Sequence, residues 1–316
     1  MTKVLPDICG NTNKVYDQFY TEMKKRYPVY ADALDRAHKE FGAVWDDEFG
    51  TLIVRMFGSD PRNWEPAMVG YVKFCIDALK SQIYFEKHRR YKATSYADAT
   101  NEYYQNKDFM FHSYLPGMIL SHYIWMHHHR MLQWYRSVLK EIKIQNFAEV
   151  GTGCGLYSKE TLELFPECGG IGFDISEHSL AFTEDLIKSF SLNDRYSTRV
   201  QDIIAKTPTA YPLSKSQNSG FDLVICQEVL EHLENPDMFC KALFAMTRPG
   251  GYAYITAAIN AAHVDHIYLY RSLDDVLDQI RSAGFKVLKS REELAYLNKP
   301  KEITPSLGGA ICYHPE

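Results

Sequence analysis

The sequence predicts an α/β protein: a doubly wound, mostly parallel sheet in residues 144–316, preceded by an all-α cap in residues 1–143. Three observations carry this prediction. Apolar residues recur at helical spacing in the first part, short apolar runs alternate with helix-length segments in the second, and a glycine-rich turn follows the first of those runs. Strands that alternate with helices need crossover connections, and crossovers produce a parallel sheet. We call the two parts the helical cap and the α/β region.

The helical cap shows apolar stripes with a period of three to four residues. One stripe runs from Tyr16 to Met23 and a second from Val72 to Ile83. A third continues from Met118 to Leu139, and it predicts that helical structure extends up to the first strand.

Short apolar runs predict the strands of the α/β region. Five of them predict parallel strands at residues 147–150, 170–174, 198–202, 221–226 and 251–256, of which 198–202 is the weakest. Residues 285–288 and 309–313 form a closing pair, and such a pair often adds an antiparallel edge to a parallel sheet.

The composition disfavours nucleic-acid and membrane partners. The net charge is −5, and basic residues form only short clusters, whereas proteins that bind phosphate backbones usually carry a basic stripe. No run of about 18 apolar residues occurs, and the N-terminus shows no apolar leader segment. Seven scattered cysteines without a CxxC pair indicate free thiols and a cytoplasmic location.

A glycine-rich turn, Glu149-Val-Gly151-Thr-Gly153-Cys-Gly155, follows the first predicted strand and precedes a helix. Glycines there allow the backbone to approach a ligand closely. The third glycine follows the second by two residues, not by the three of a dinucleotide fingerprint. Glu149 would repel a pyrophosphate, but it suits a ligand with cationic groups, such as the amino group and sulfonium of S-adenosylmethionine.

Two further acids follow the next two strands. Asp174 lies about 20 residues after the glycine turn, where a carboxylate can accept hydrogen bonds from both ribose hydroxyls of a nucleoside. Asp202 is placed to accept from an adenine amino group, or to cap the start of a helix. Both interpretations of Asp202 stay open at this point.

Together these residues resemble the class I, Rossmann-like S-adenosylmethionine-dependent methyltransferases, over residues 143–313. Residues 149–155 match the family's first motif and residues 172–174 its second. Residues 221–236 resemble the fourth-strand segment of small-molecule members, including quinone-ring methyltransferases, and residues 248–251 match the turn before the fifth strand.

The resemblance implies S-adenosylmethionine as the cofactor. The residues expected to bind it are Glu149, Gly151, Thr152, Gly153, Gly155, Asp174, Ile175, Asp202, Ile203, Gln227 and Glu228. The Asn-Pro-Pro-Tyr and Pro-Cys motifs of base-modifying methyltransferases are absent. We therefore expect a small acceptor: an amino acid, an α-keto acid or a phenolic natural-product intermediate.

The loop after the fifth strand contains the predicted catalytic residues His263, Asp265 and His266. His266 is the predicted general base, with Asp265 fixing its imidazole tautomer. The alternative is that His266 only orders the loop. The same three residues would also permit a two-histidine, one-carboxylate metal site, as in some iron-holding C-methyltransferases that act on α-keto acids. Adjacent residues rarely point at one ion, so no metal is predicted.

The helical cap is expected to set substrate specificity and to mediate a homodimer. Its aromatic residues would roof the active site and exclude water. His122 and His129, seven residues apart, would share one helix face, and Arg130 could pair with a carboxylate. The predicted substrate-binding residues are Tyr114, Tyr123, His128 and Tyr268.

Two other functions remain compatible with these motifs. A relative of the same fold could cyclise S-adenosylmethionine itself to azetidine-2-carboxylic acid and release methylthioadenosine, if the cap leaves no room for an acceptor. A non-catalytic S-adenosylmethionine-binding subunit is the second alternative. The intact glycines and the three acids argue against it.

Overall fold

The structure is a computed structural model. It describes residues 9–95, 97, 103–208, 220–297, 300 and 303–316, with the side chains of residues 9–11 excepted. Residues 1–8, 96 and 98–102 of the predicted cap lie outside the described residues.

Seven strands form one sheet in the order β3-β2-β1-β4-β5-β7-β6. Their bounds are β1 Asn146–Val150, β2 Gly169–Asp174, β3 Tyr196–Val200, β4 Phe221–Gln227, β5 Thr247–Ile259, β6 Lys286–Leu294 and β7 Ser306–Tyr313. Strands β1 to β5 pair in parallel, and β7 pairs antiparallel with both β5 and β6. The predicted α/β fold is confirmed, including its antiparallel edge.

The third strand lies two residues earlier than predicted. Val200, its last residue, pairs with Asp174, so Asp202 belongs to the turn that follows the strand. The strand is at the edge of the sheet and is largely exposed, so its sequence lacks the continuous apolar run of a central strand.

Ten helices of nine or more residues accompany the sheet among the described residues. Those of the cap are α1 Cys9–Arg26, α2 Pro28–Phe41, α3 Ala43–Phe57, α4 Pro61–His88, α5 Leu115–Ile124 and α6 Met126–Leu139. Those of the α/β region are α7 Leu156–Leu164, α8 Glu177–Ser189, α9 Pro236–Met246 and α10 Leu273–Ser282. A π-helical turn, Met110–Tyr114, leads into α5.

The helical pattern from Met118 to Leu139 is divided at Trp125. This residue has an extended backbone (φ −82°, ψ 115°) between α5 and α6. The break changes the register of the histidines that follow it. His122 lies against His128, with ring centroids 5.2 Å apart, whereas His129 packs on Phe41. The expectation that His122 and His129 share a face is therefore wrong.

Successive residues of the central strands face opposite sides of the sheet. On β1, Phe147 belongs to the apolar core shared with the helical cap, and Ala148 belongs to the core under α9 and α10. Tyr135 of α6 packs on Tyr157 and Tyr254, at centroid distances of 4.8 Å and 4.6 Å. The cap thus covers one face of the sheet directly.

Six cysteine side chains are described, and none of them is paired in a disulfide. Among the described residues, no helix has both the length and the apolar character needed to cross a membrane. The predicted homodimer through the cap stays a prediction.

Candidate active site

A cavity of about 1260 Å³ lies between the helical cap and the carboxyl ends of strands β1, β2, β4 and β5. Pockets for single small molecules usually measure about 300–1,000 Å³. The sheet side contributes most of the predicted cofactor residues to the lining, and the cap contributes residues of α2, α4, α5 and α6. Parallel sheets bind ligands at this edge.

The glycine turn forms the floor of the cavity at the end of β1. Gly151 and Gly153 have φ values of 71° and 51°, a backbone region that non-glycine residues rarely adopt. A Cβ on Gly151 would lie 2.5 Å from Val229, and one on Gly153 would lie 2.8 Å from the Met118 sulfur. The turn therefore requires glycine both for its conformation and for space.

Glu149 is buried beside this turn, and it lines the cavity. One carboxylate oxygen accepts hydrogen bonds from the Ser158 backbone N–H (3.0 Å) and from the Ser158 hydroxyl. Burial raises the pKa of Glu149 to about 8, although the Ser158 donors act in the opposite direction. The carboxyl group is therefore mostly protonated at neutral pH, and a cationic ligand would favour its ionised form.

Asp174, at the end of β2, is held in place by backbone donors. Its Oδ1 accepts from Ser176 N (2.9 Å) and its Oδ2 from Gly153 N (3.2 Å). Burial raises its pKa. Ile175, the next residue, also lines the cavity and is exposed.

Asp202 and Ile203 line the cavity in the turn after β3. The Asp202 carboxylate is exposed and accepts from Ile204 N (2.8 Å) and Ala205 N (3.3 Å). Asp202 therefore caps this turn, and because it also lines the cavity, its contact with an adenine amino group stays a prediction. Ile203 is buried.

Gln227 ends β4 and Glu228 follows it, and both residues line the cavity. Glu228 has a positive φ of 50°, which is uncommon for a residue other than glycine. Its N–H donates to Thr256 O at 3.2 Å, and the Gln227 amide donates to its side chain. Strained backbones of this kind cluster at functional sites. Glu228 Oε2 lies 3.9 Å from His128 Nε2 on the cap.

Asp265 is completely buried, and its carboxylate oxygens accept hydrogen bonds from residues of both the helical cap and the α/β region. It accepts hydrogen bonds from the Tyr104 and Tyr114 hydroxyls, both at 2.7 Å, and from His263 Nδ1 at 3.1 Å. Burial alone would raise its pKa, but the neighbouring His232 and His263 outweigh burial and hold the pKa well below its usual value. Asp265 is an ionised anchor that joins the loop to the cap.

The predicted pairing of Asp265 with His266 is wrong, because Asp265 holds His263 instead. His266 Nδ1 donates to the Ala261 carbonyl at 2.9 Å, and burial lowers the pKa of His266 to about 3. This low pKa removes the reason for choosing His266 as the base. His263 Nε2 is buried without a hydrogen-bond partner among the described residues, and His263 lines the cavity.

Sequence reasoning missed Glu231 and His232, in the turn after β4. Glu231 is completely buried, and burial together with Glu228 raises its pKa well above the usual value. His232 Nδ1 lies 3.2 Å from the Asp265 carbonyl oxygen. The available signal was the spacing Glu228-Val-Leu-Glu231-His232 directly after the carboxyl end of a strand.

Two of the four predicted substrate-binding residues line the cavity, namely Tyr114 and His128. The other two lie elsewhere. Tyr123 packs inside the cap against Phe49, with ring centroids 5.7 Å apart, and Tyr268 is 37% exposed beside Tyr270.

The cap side of the cavity is largely aromatic. Trp125 is one of the cap aromatics among which the sequence predicts the roof of the site, whereas sequence reasoning did not assign Tyr71 or Phe74 to it. Trp125 Nε1 donates to the Tyr71 hydroxyl at 3.1 Å, and the Trp125 ring lies 5.7 Å from that of Phe74. Arg130 also lines the cavity, and it pairs with Glu40 (2.6 Å) and Glu293 (3.7 Å).

Comparison with known proteins gives matches of three kinds: a family model, curated relatives and solved structures. Residues 148–253 match a family model described as a methyltransferase domain. The ubiquinone biosynthesis O-methyltransferase of Coxiella burnetii (strain RSA 331) is 27% identical over 185 residues, which cover 55% of this chain and 70% of that protein.

Two solved structures share the fold at low sequence identity. One is an O-methyltransferase family protein from Burkholderia thailandensis, with a TM-score of 0.52 and 11% identity, covering 78% of this chain and 72% of that one. The other is phosphoethanolamine N-methyltransferase 2 from Haemonchus contortus, in complex with phosphomonomethylethanolamine and S-adenosylhomocysteine. Its TM-score is 0.51 at 14% identity, covering 72% of this chain and 62% of that one.

Proposed function

We propose, from the premise that the α/β region belongs to the class I S-adenosylmethionine-dependent methyltransferases, that this chain methylates a hydroxyl group of a small phenolic molecule. The cavity carries this proposal. At about 1260 Å³ it exceeds the usual volume for one small ligand, so an acceptor has room beside the cofactor. An enzyme that cyclised the cofactor alone would not need this second volume.

The proposed cofactor half of the cavity lies on the sheet side. Glu149 would hold the cationic amino group, Asp174 the ribose hydroxyls, and Ile203 with Asp202 the adenine end. Gly151, Thr152, Gly153 and Gly155 would let the backbone approach the ligand, and Ile175, Gln227 and Glu228 would complete the wall. Support comes from the buried, cavity-lining carboxyl of Glu149 and from Gly151 and Gly153, which line the same cavity with a backbone conformation that favours glycine.

The proposed acceptor half lies under the cap. Tyr71, Phe74 and Trp125 provide a flat aromatic wall that suits a ring. An amino acid or α-keto acid would need a cation for its carboxylate. Of the two arginines in the lining, Arg130 is already paired with Glu40 and Glu293, and Arg36 is exposed. These features favour the phenolic class among the three predicted.

His263 is the base in this proposal. A hydroxyl must lose its proton when it attacks, whereas a neutral amine need not. Asp265 accepts from His263 Nδ1, which leaves the lone pair of Nε2 to accept the hydroxyl proton. Bound S-adenosylmethionine supplies an electrophilic methyl group, so the acceptor oxygen gains a bond to carbon as the carbon–sulfur bond breaks. The cap excludes water from this exchange.

Product analysis tests the proposal. The full chain is incubated with S-adenosylmethionine alone, and then with separate panels of phenols, catechols, amino acids, amines and α-keto acids. We expect S-adenosylhomocysteine to form only with a phenol or catechol. Methylthioadenosine from the cofactor alone would show cyclisation instead, and turnover restricted to amines or keto acids would contradict the assignment of the acceptor.

A further inference from the structure

Three potential metal ligands lie together at the edge of the cavity: His232 and His266 line it, and Glu231 is completely buried next to them. Glu231 and His232 lie in the turn after β4, and His266 lies in the loop after β5. Because β4 and β5 are parallel neighbours, their carboxyl ends bring these segments together. One carboxylate oxygen and one nitrogen from each imidazole lie within 4.8 Å of one another.

Both histidines are oriented by a backbone carbonyl group. His232 Nδ1 lies 3.2 Å from the Asp265 carbonyl oxygen, and His266 Nδ1 lies 2.9 Å from that of Ala261. A hydrogen bond of this kind fixes the proton on Nδ1 and leaves the lone pair on Nε2. Metal-binding histidines are almost always held in the same way. The two rings are nearly perpendicular, at 89°, with centroids 4.8 Å apart.

Glu231 has an oxygen without a partner. The side chain is completely buried, and its Oε1 accepts from Ala258 N at 3.1 Å. Its Oε2 makes no hydrogen bond within the described part of the chain. Buried polar atoms are nearly always paired, so an unpaired oxygen beside two imidazoles requires an explanation.

We propose that Glu231, His232 and His266 bind one divalent transition-metal ion at the edge of the cavity. Two imidazoles and one carboxylate suit Mn²⁺, Fe²⁺, Co²⁺ or Zn²⁺, and such a triad leaves coordination positions open. Ligand–metal bonds of about 2.0–2.2 Å at angles of about 90–110° place the ligand atoms about 3.0–3.5 Å apart, so the three side chains would move together by about 1–2 Å on binding.

This ligand set differs from His263, Asp265 and His266, the three residues that the sequence alone would permit as metal ligands. Asp265 does not belong to it, because the donors of Tyr104, Tyr114 and His263 already occupy its oxygens. Asp265 instead stabilises the loop around the metal ligand His266. If the proposed O-methylation is correct, the open coordination positions would receive the acceptor oxygen, and the ion would favour its ionised form beside His263.

Cobalt binding tests the site without a methyl donor or acceptor, so its outcome is independent of the proposed function. The full chain without an affinity tag is freed of metal with a chelator and titrated with CoCl₂, while the ligand-field absorption is recorded. We expect one Co²⁺ per chain. Glu231→Gln and His266→Gln should each weaken binding at least about tenfold, the smallest effect usual for metal-site mutations.

Glu167→Gln and His112→Gln are the matched controls, because both residues are exposed and lie outside the cavity lining. They should bind Co²⁺ like the wild type. Thermal melting checks that each variant is folded, and if one ligand variant fails to fold, the other decides. The proposal is overturned if the wild type takes up no Co²⁺, Mn²⁺ or Zn²⁺, or if a folded ligand variant retains wild-type affinity.

Discussion

The two sides of the cavity differ in the carboxyl groups that they contribute. The sheet side contributes several, of which Glu149 and Asp174 are buried and have raised pKa values, whereas none of the described cap residues that line the cavity is an aspartate or a glutamate. The cap side contributes His122 and His128, and burial lowers the pKa of each to about 3, so both are neutral. A cationic cofactor therefore fits the sheet side, whereas the cap side suits an uncharged ring.

The two sides also differ in how the sequence encodes them. Glu149, Gly151 and Gly153 lie within five residues, so local spacing places them together. Tyr71 and Trp125, by contrast, are 54 residues apart and meet only through the packing of helices. Cofactor binding can thus reside in a short motif, while acceptor recognition depends on the tertiary fold of the cap.

Deletion of the cap gives the largest expected effect. A fragment beginning at Lys143 would expose the surface that Trp134 and Tyr135 cover, including the buried Tyr254 of the sheet and Tyr157 of α7. We expect poor solubility and no methyl transfer, measured by S-adenosylhomocysteine release. A soluble fragment with full activity would show that the cap is dispensable. It would contradict the proposal that the cap side of the cavity binds the acceptor.

His263→Ala tests whether His263 is the general base of the proposed reaction. General-base catalysis by a positioned side chain contributes about 10²- to 10⁴-fold, so turnover should fall by about that factor while cofactor affinity, measured by calorimetry, stays the same. His112→Ala, at an exposed position outside the cavity lining, should have no effect. Retention of more than about a third of wild-type turnover would exclude His263 as the base.

The pH dependence of cofactor binding tests whether Glu149 holds the amino group of the cofactor. The expected effect is smaller than that of His263→Ala. Its folded pKa of about 8 lies above the usual value of a glutamate, so the free protein holds a proton there at pH 6–7. A bound ammonium group favours the ionised form, and binding should release that proton. Affinity should rise about tenfold from pH 6 to pH 7, because each pH unit below the pKa changes the ionised fraction tenfold.

Calorimetry in buffers of different ionisation enthalpy measures both the proton release and the affinity. Glu149→Gln should remove the pH dependence, whereas Glu163→Gln, at an exposed position, should preserve it. A wild-type affinity that does not change between pH 6 and pH 7 would place the amino group elsewhere.

Sequence patterns predicted the sheet, its antiparallel edge and the positions of Glu149, Asp174 and the glycine turn, because each depends on local spacing. The loop after β5 shows why the rest could not be predicted in the same way. Asp265 and His266 are neighbours in the chain, but the path of the loop turns them apart, and the carboxylate reaches back two residues to His263. Only the three-dimensional path of the backbone distinguishes these two histidines.

The substrate-binding predictions were limited by the break at Trp125. A helical register carried through this residue places His129 with His122, whereas the extended backbone there brings His128 to His122 and to the cavity. Tyr123 lies before the break, and it packs among the aromatic residues inside the cap. A single extended residue thus decides which side chains of this segment face the cavity.

The most direct test of the division between the two sides compares Asp174→Ala with Trp125→Leu. Kinetics with a phenolic acceptor give the KM of that acceptor, and calorimetry gives the Kd of S-adenosylhomocysteine. We predict that Asp174→Ala raises this Kd at least about tenfold, since charge-assisted hydrogen bonds contribute about 1.5–3 kcal/mol each. Trp125→Leu should raise the acceptor KM several-fold and leave the cofactor Kd unchanged. If Trp125→Leu instead weakens the cofactor and leaves the acceptor KM unaltered, the cap does not hold the acceptor and the account is contradicted.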